Sequence, residues 1–422
     1  MATAPRIMDF DDPTFDPFRT IDQQQGFGEV DDPYPQIHAL HRTGTVLKGD
    51  MRRAFGMQPF PFYADYPSWM VFGQEAVTRV FGDGATFSTS IKMHFYKDSF
   101  GDSIDGMDPP EHTRYRRLFQ KAFLPQTIAR WGEELVPRVV GNLIDAFAAR
   151  GHAELVSEFT ALYPFHVVYG QLHLPVEDCA VFHKLAVGMT CLGIDHAHAL
   201  EASQKLGNYF SALLKARGST PESSAPGAGD DLISLLAVAE VDGERLPEHI
   251  TVSFLRQLMA AAGDTTYRGT GSLLAGLLTH PEQFEAVRRD RALVPPAIEE
   301  ALRWEAPITF ETRLAVRDAI VEGVAIPTGS MIDVVIGSAN RDPARFENPD
   351  DFNIRRKPER HMAFAYGPHV CLGQHLARLE MARALNALLD RFPRLRLDPD
   401  KPAPQILGLG SRSPTALHVR FD

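Results

Sequence analysis

Cys371 stands in the run FAYGPHVCLGQHLAR, residues 364–378, where a turn-rich apolar loop opens onto a helical pattern. Gly367, Pro368 and Gly373 permit tight turns and let a flat ligand come close to the backbone. The next stretch, QHLARLEMARALNALLDRF, repeats its apolar residues at helical spacing. A helix that begins beside Cys371 aims its free N–H groups and positive dipole end at the sulfur, so a thiolate is expected there. Such a thiolate is a strong axial ligand for haem iron. Most free cysteines are merely packed, so the whole loop carries this reading and the cysteine alone does not.

Two further groups of residues could do chemistry. From Phe254, FLRQLMAAAGDTTYRGTGSLLAGLL is apolar almost all round and reads as a buried helix, yet Asp264, Thr265 and Thr266 interrupt it. Either the threonines bond back to carbonyls one turn earlier and Asp264 finds a cation, or a hydroxyl and an acid work together to feed protons to a site. Upstream of the cysteine, AIEEALRWEAP sets Glu300 and Arg303 three apart, where they can pair across a helical turn.

Taken as one string, F-x-x-G-x-H-x-C-x-G followed by LAR resembles the haem-binding signature of the cytochrome P450 family. Ala365 stands where that family usually has glycine, a departure that bears on local loop geometry. The resemblance implies that Phe364, Gly367, His369 and Cys371 contact haem b, with Cys371 on the iron. AAGDTT resembles the oxygen-binding segment of the family's central helix, with Ala262 where glycine is common. It implies a proton relay through Asp264 and a hydroxyl, Thr265, that holds the oxygen. The E-x-x-R pair resembles the family's helix pair, which locks to a second arginine in DFNIRRKPERH. That arginine would be Arg356, so Glu300, Arg303 and Arg356 are expected to brace the cysteine loop.

Haem carries two propionates, whose burial needs donors and positive charge. DPPEHTRYRRL resembles the family's helix over one haem face and supplies His112 and Arg116. Arg313 in RWEAPITFETR matches the arginine that follows the helix pair, and His369 completes the expected clamp. By the same resemblance, a mostly apolar pocket would be lined by Phe95, Phe100, Leu258, Ala261, Thr309, Phe310 and Leu409, which suggests a hydrophobic guest. The match runs from about residue 60 to the C-terminus and is weak over the first 50 residues.

The elements that must position these residues are mostly helices. Residues 132–149, 250–279 and 281–304 have amphipathic or buried helical patterns. Strand signals are short and gather at 69–71, 313–327, 331–336 and 416–421. The stretch RGSTPESSAPGAGDD, residues 217–231, reads as an exposed interhelical loop. The expected fold class is therefore mainly α with a small β region. The resemblance makes residues 1–422 a single-domain cytochrome P450 fold enclosing haem.

With 54 acidic and 43 basic residues the formal net charge is −11, which argues against nucleic acid as a partner. No segment stays apolar for the length of a membrane span, and no basic stretch followed by an apolar run opens the chain. Three widely spaced cysteines, Cys179, Cys191 and Cys371, suggest neither a disulfide framework nor a zinc site, and a reducing cytoplasm is expected. Neither GTGSLL at Gly269 nor GLGSRS at Gly408 has the spacing and strand context of a dinucleotide fold, so no flavin or nicotinamide module is expected.

The implied activity is a monooxygenase of bacterial type, a monomer that inserts one atom of O2 into a fatty acid, terpenoid, steroid or aromatic compound. Electrons would come from a ferredoxin and its reductase, docking on Arg117, Arg360 and Arg378 near the cysteine. Two rivals stay open. One is a peroxygenase driven by hydrogen peroxide, and the other a haem-thiolate sensor or ligand-binding protein without turnover.

Overall fold

A computed structural model describes residues 6–218, 231–237, 239–241 and 243–422. The stretch expected to be an interhelical loop lies outside these for residues 219–230.

The long apolar segment forms one helix, Glu248–Thr279, 32 residues or about 48 Å in length. Its C-terminal half is buried nearly all round, as its composition requires, and it packs against helices Tyr163–Gln171, His196–Gly218, Val294–Trp304 and Gln374–Arg391. The principal apolar core runs from Ile7 to Phe421 and is built on these helices. Helices dominate the molecule, and the strands are short.

The pattern over 281–304 resolves into two helices, Pro281–Arg289 and Val294–Trp304. Asp290 leaves helical geometry at φ −128° and caps the turn between them by accepting from the Ala292 N–H at 3.0 Å. Pro295 and Pro296 then open the second helix, where a missing N–H costs nothing. Residues 313–327 likewise split into Glu311–Ala315 and a small hairpin, Ala319–Val321 with Val324–Ile326.

A five-stranded sheet flanks the helices in the order Val46–Lys48, Ser68–Val71, Met331–Val334, Glu311–Ala315, Phe87–Ser88. Met331–Val334 lies parallel to Ser68–Val71 and antiparallel to Glu311–Ala315, which sets Arg313 opposite Ile332. All four residues of that central strand are buried, Asp333 among them. Asp333 accepts from the Met51 N–H at 2.8 Å and the Thr312 hydroxyl at 3.3 Å. Burial pushes its carboxyl up to about 7 against these hydrogen bonds.

Candidate active site

The cysteine loop is closed on itself. Cys371 N–H donates to Phe364 O at 2.9 Å, Val370 N–H to Gly367 O at 3.1 Å, and Ala365 N–H to Met362 O at 2.8 Å. Gly367 has φ +74°, and a Cβ there would stand 2.5 Å from the Phe81 carbonyl and 3.0 Å from Gly82 Cα. Only glycine fits between loop and neighbouring helix. Ala365 also adopts a left-handed conformation, φ +56°, so this chain has an alanine where the backbone favours glycine.

Helix Gln374–Arg391 begins directly after the loop. Cys371 is exposed while its neighbours Val370 and Leu372 are half-buried, so the sulfur faces open space. The protein walls of the recess that the sulfur faces desolvate it and push the thiol above its ordinary range, and the Gly373 N–H and the charges of Arg116 and Arg378 partly offset this. A metal ion would itself supply the missing stabilisation, because a coordinating thiol is deprotonated by the metal.

Around the loop lies a set of donors with few acceptors. His112 is 2 % exposed, and among the described residues neither ring nitrogen has a hydrogen-bond partner. Its ring centroid is 4.0 Å from that of His369. Burial lowers His112, with Arg116 adding to the effect, and burial followed by His112 pushes His369 down to about 3. Both rings are thus neutral donors near pH 7.

Arg116 donates to the carbonyl of Val370, the residue before the cysteine. Arg313 is 3 % exposed, donates to Thr312 O at 2.9 Å, lies over the Phe81 ring, and is 3.9 Å from the Glu311 carboxylate. Buried polar groups without partners are costly. Two guanidiniums and two neutral imidazoles gathered beside an open thiol fit a flat group bearing two carboxylates, which is haem. These residues were all expected from the sequence. Lys92 was not: it is buried beside them and bridges Asp105 at 2.9 Å and Glu311 at 2.6 Å. Lys92 in SIKMHFYKD gives no sequence signal, because its carboxylates come from two other segments.

The helix pair behaves as a brace. Arg303 forks onto Glu300 at 2.8 Å twice and donates to the carbonyls of Asn340, Pro349 and Asp351. Arg356 reaches the same carboxylate at 3.2 and 3.3 Å. The neighbouring Glu299 does comparable work for the loop, unforeseen from sequence. Arg378 clamps it at 2.6 and 3.0 Å while lying over the Phe364 ring, and His361 contacts it at 3.2 Å. Burial opposes ionisation of Glu299, but His361 and Arg378 outweigh it and hold its pKa at about 2. Arg378 is therefore engaged in the loop's support, whereas Arg117 and Arg360 are exposed.

On the central helix, Ala261 is exposed and Gln257, Leu258 and Thr265 are half-buried, although the helix runs through the core. Their spacing places them on one face, and the helix packs against Gln374–Arg391, which carries the cysteine loop at its start. The Thr265 hydroxyl donates to Ala261 O at 3.0 Å. Asp264 does find a cation: Arg268 Nε lies 3.0 and 3.1 Å from its two oxygens.

The expected pocket lining is only partly gathered. Leu258 and Ala261 lie on the accessible face. Phe100 is instead buried in the main core with its ring edge-on to Tyr96, and Phe95 packs into an aromatic cluster with Phe60, Phe62 and Tyr63. Thr309 and Leu409 are fully buried, the Thr309 hydroxyl donating to the Leu409 carbonyl, and Phe310 packs against the same small core. Contacts within the fold satisfy these residues and close Phe100, Thr309 and Leu409 off from open space.

Among the described residues no helix is long and apolar enough to cross a membrane.

The fold, with an open thiol beside guanidinium and imidazole donors, is suited to hold haem. A family model described as cytochrome P450 matches residues 189–417. The chain is 33 % identical over 380 residues to the polyketide biosynthesis cytochrome P450 PksS of Bacillus subtilis, covering 86 % of this chain and 92 % of that one. It is 35 % identical over 345 residues to the vitamin D3 dihydroxylase of Streptomyces griseolus, covering 79 % and 83 %. The crystal structure of CYP109E1 from Bacillus megaterium in complex with testosterone matches with a TM-score of 0.79 and 27 % identity, covering 93 % of this chain and 99 % of that one. The chain belongs to the cytochrome P450 family and is a monooxygenase of bacterial type.

Proposed function

We propose that this enzyme inserts one oxygen atom of O2 into a hydrophobic small molecule held against the Gln257, Leu258, Ala261 and Thr265 face of the central helix. The observation that carries this reading is the exposure of Ala261 in the middle of a helix otherwise built into the core. Cys371 would hold the haem iron, and His112, Arg116, Arg313 and His369 its propionates; the bound group would supply electron-rich iron for cleaving dioxygen.

The chain's own part is to orient the guest, exclude water and move protons. Thr265 presents a hydroxyl whose proton is directed at Ala261 O, leaving its lone pairs for a donor in the cleft. Asp264, one residue earlier, is the acid that replenishes protons, and this pair favours O2 over hydrogen peroxide as the oxidant. Gln257 accepts from the Ser103 hydroxyl at 2.5 Å through its carbonyl oxygen, so its amide N–H groups serve an oxygen on the guest.

Relatives named for vitamin D3, for a bound testosterone and for a bound hexadecenoic acyl chain accord with a hydrophobic guest, and a steroid-like one is ranked first for testing. We take the chain to be one catalytic domain, a cytoplasmic monomer reduced by a ferredoxin system. Its three cysteines are free thiols, which accords with a reducing compartment.

The test is a spectral titration of the ferric protein with steroids, fatty acids, terpenoids and aromatics, followed by turnover with a ferredoxin and its reductase. Steroids should shift the Soret band at the lowest concentration and be hydroxylated. Thr265→Ala should keep the shift but divert reducing equivalents to peroxide. Full coupling in that variant would overturn the assigned role, and efficient peroxide-driven turnover without reductase would favour the peroxygenase.

A further inference from the structure

The Asp264 carboxylate is held by an arginine that answers to a second acid. Arg268 lies one turn further along the central helix and is fully buried. Its Nε and Nη2 lie 3.0–3.1 Å from Asp264, and its Nη1 donates to the Ser413 hydroxyl at 3.2 Å. The rings of Tyr267 and Phe27 flank the guanidinium at 4.8 and 5.5 Å. Asp22 Oδ1 stands 3.8 Å from Nη2, too far for a hydrogen bond, and among the described residues Nη2 has no partner of hydrogen-bond geometry. Nη2 of this buried cation is thus paired with Asp264 and within ion-pair reach of Asp22.

The two acids differ in access. The Asp22 side chain is 43 % exposed and that of Asp264 31 %, while Arg268 is sealed between them. Asp22 belongs to the helix Pro17–Gln24, in the part of the sequence that least resembles the family. That helix is fixed in place. Gln24, 2 % exposed, donates to Thr190 O at 2.9 Å and accepts from the Gly193 N–H at 2.8 Å. The charged and titratable groups facing this array are Asp16, Asp22, Asp264, Tyr267, Arg268 and Cys191. Burial raises Asp22, against the pull of Arg268, with Asp264 and Asp16 adding to the rise.

We propose that Arg268 is a positioning residue for proton delivery, shared between Asp264 at the cleft and Asp22 at the surface, so that a shift of the guanidinium toward Asp22 releases Asp264 to carry a proton. The proton travels from solvent water to a carboxylate oxygen of Asp264 and from there to the cleft. Arg268 keeps its own protons throughout, as a guanidinium must. This inference rests on the monooxygenase reading given above for Asp264 and Thr265.

The test uses the holoenzyme with Asp22→Asn, Arg268→Gln and Arg268→Lys. Arg268→Gln should lose about threefold more reducing equivalents as peroxide and change the solvent isotope effect on turnover. Asp22→Asn, which leaves Arg268 bound to Asp264 alone, should slow turnover about threefold with a larger solvent isotope effect. Arg268→Lys, which retains charge but not the fork, should fall between wild type and Arg268→Gln.

A second readout needs no turnover. In the ferrous carbon monoxide complex with carboxyl-13C-labelled aspartate, the Asp22 resonance, assigned by its loss in Asp22→Asn, should titrate at higher pH in Arg268→Lys and higher still in Arg268→Gln. An unmoved Asp22 midpoint overturns the proposal whether or not a substrate has been found. Variants that lose only thermal stability, with coupling and isotope effect unchanged, would make the array structural and overturn it as well.

Discussion

The imidazole rings of His112 and His369 lie 4.0 Å apart and are tilted by 33°, and among the described residues no hydrogen-bond partner reaches either nitrogen of His112. One ring comes from the helix Glu111–Gln120 and the other from the cysteine loop. Their meeting sets an unpartnered buried imidazole, His112, beside the cysteine loop, where an anion could accept from it.

Replacing His112 by phenylalanine keeps the ring volume and removes the donor. A hydrogen bond to a charged group is worth about 1.5–3 kcal/mol, so haem retention should weaken roughly ten- to hundredfold. Transfer of haem to an excess of an acceptor apoprotein measures this. An unchanged transfer rate would show that His112 holds no propionate.

The two left-handed positions of the cysteine loop should respond in opposite ways. Left-handed alanine costs about 1–2 kcal/mol, part of which glycine forfeits through its freer unfolded chain. Ala365→Gly should therefore raise stability by up to about 1 kcal/mol, read as a higher urea midpoint at constant slope. Gly367→Ala sets a methyl group against the Phe81 carbonyl and should abolish the reduced carbon monoxide spectrum of the thiolate.

Arg117 and Arg378, both expected at a ferredoxin surface, should separate by phenotype. Arg117 is exposed, so Arg117→Glu should slow reduction by ferredoxin about tenfold at low salt and weaken its dependence on ionic strength. Arg378 is spent on Glu299 and Phe364, so Arg378→Glu should instead lower stability by about 1 kcal/mol after solvent screening, seen as a lower melting temperature. Stopped-flow reduction and thermal melts of both variants decide this. A purely kinetic defect in Arg378→Glu would return it to the docking surface.

Asp333 ties stability to pH. Its folded pKa of about 7 lies above the ordinary carboxylate value of 3.8, so the native state favours the protonated form. Its contribution is complete below about pH 4 and is lost as pH rises toward 7, a change on the order of 2–4 kcal/mol. Asp333→Asn should remove this slope, leaving the variant's stability relative to wild type highest above pH 7. Denaturant midpoints of both proteins at pH 5 and pH 8 test it, and parallel pH dependence would show that Asp333 is ionised throughout.

Legibility in the sequence followed chain distance. Cys371 with Gly367, Asp264 beside Thr265, and Glu300 with Arg303 each lie within one segment, where helix or turn geometry already dictates who meets whom. Partners drawn from different segments were legible only through the resemblance, as with Arg356 on Glu300, or not at all. The bridge from Lys92 to Asp105 and Glu311, the clamp of Arg378 on Glu299, and Asp22 beside Arg268 belong to the second kind. The apolar lining was misread for a related reason. A phenylalanine or leucine carries no mark of whether it will face a guest or another side chain, and Phe100 and Leu409 went to the core.

By itself the sequence determined the chemistry of the centre: a cysteine in a glycine-turned loop before a helix, a helical acid and hydroxyl, and a mainly helical chain to carry them. These follow from local geometry, which neighbouring residues enforce on one another. Tertiary structure alone decided the electrostatics. Burial raised the Cys371 thiol where the helix dipole by itself predicted a thiolate, gave Ala365 a glycine's conformation, and set one buried guanidinium, Arg268, between two acids from opposite parts of the chain. Desolvation and charge pairing depend on what is packed around a group, and no spacing along the chain records that.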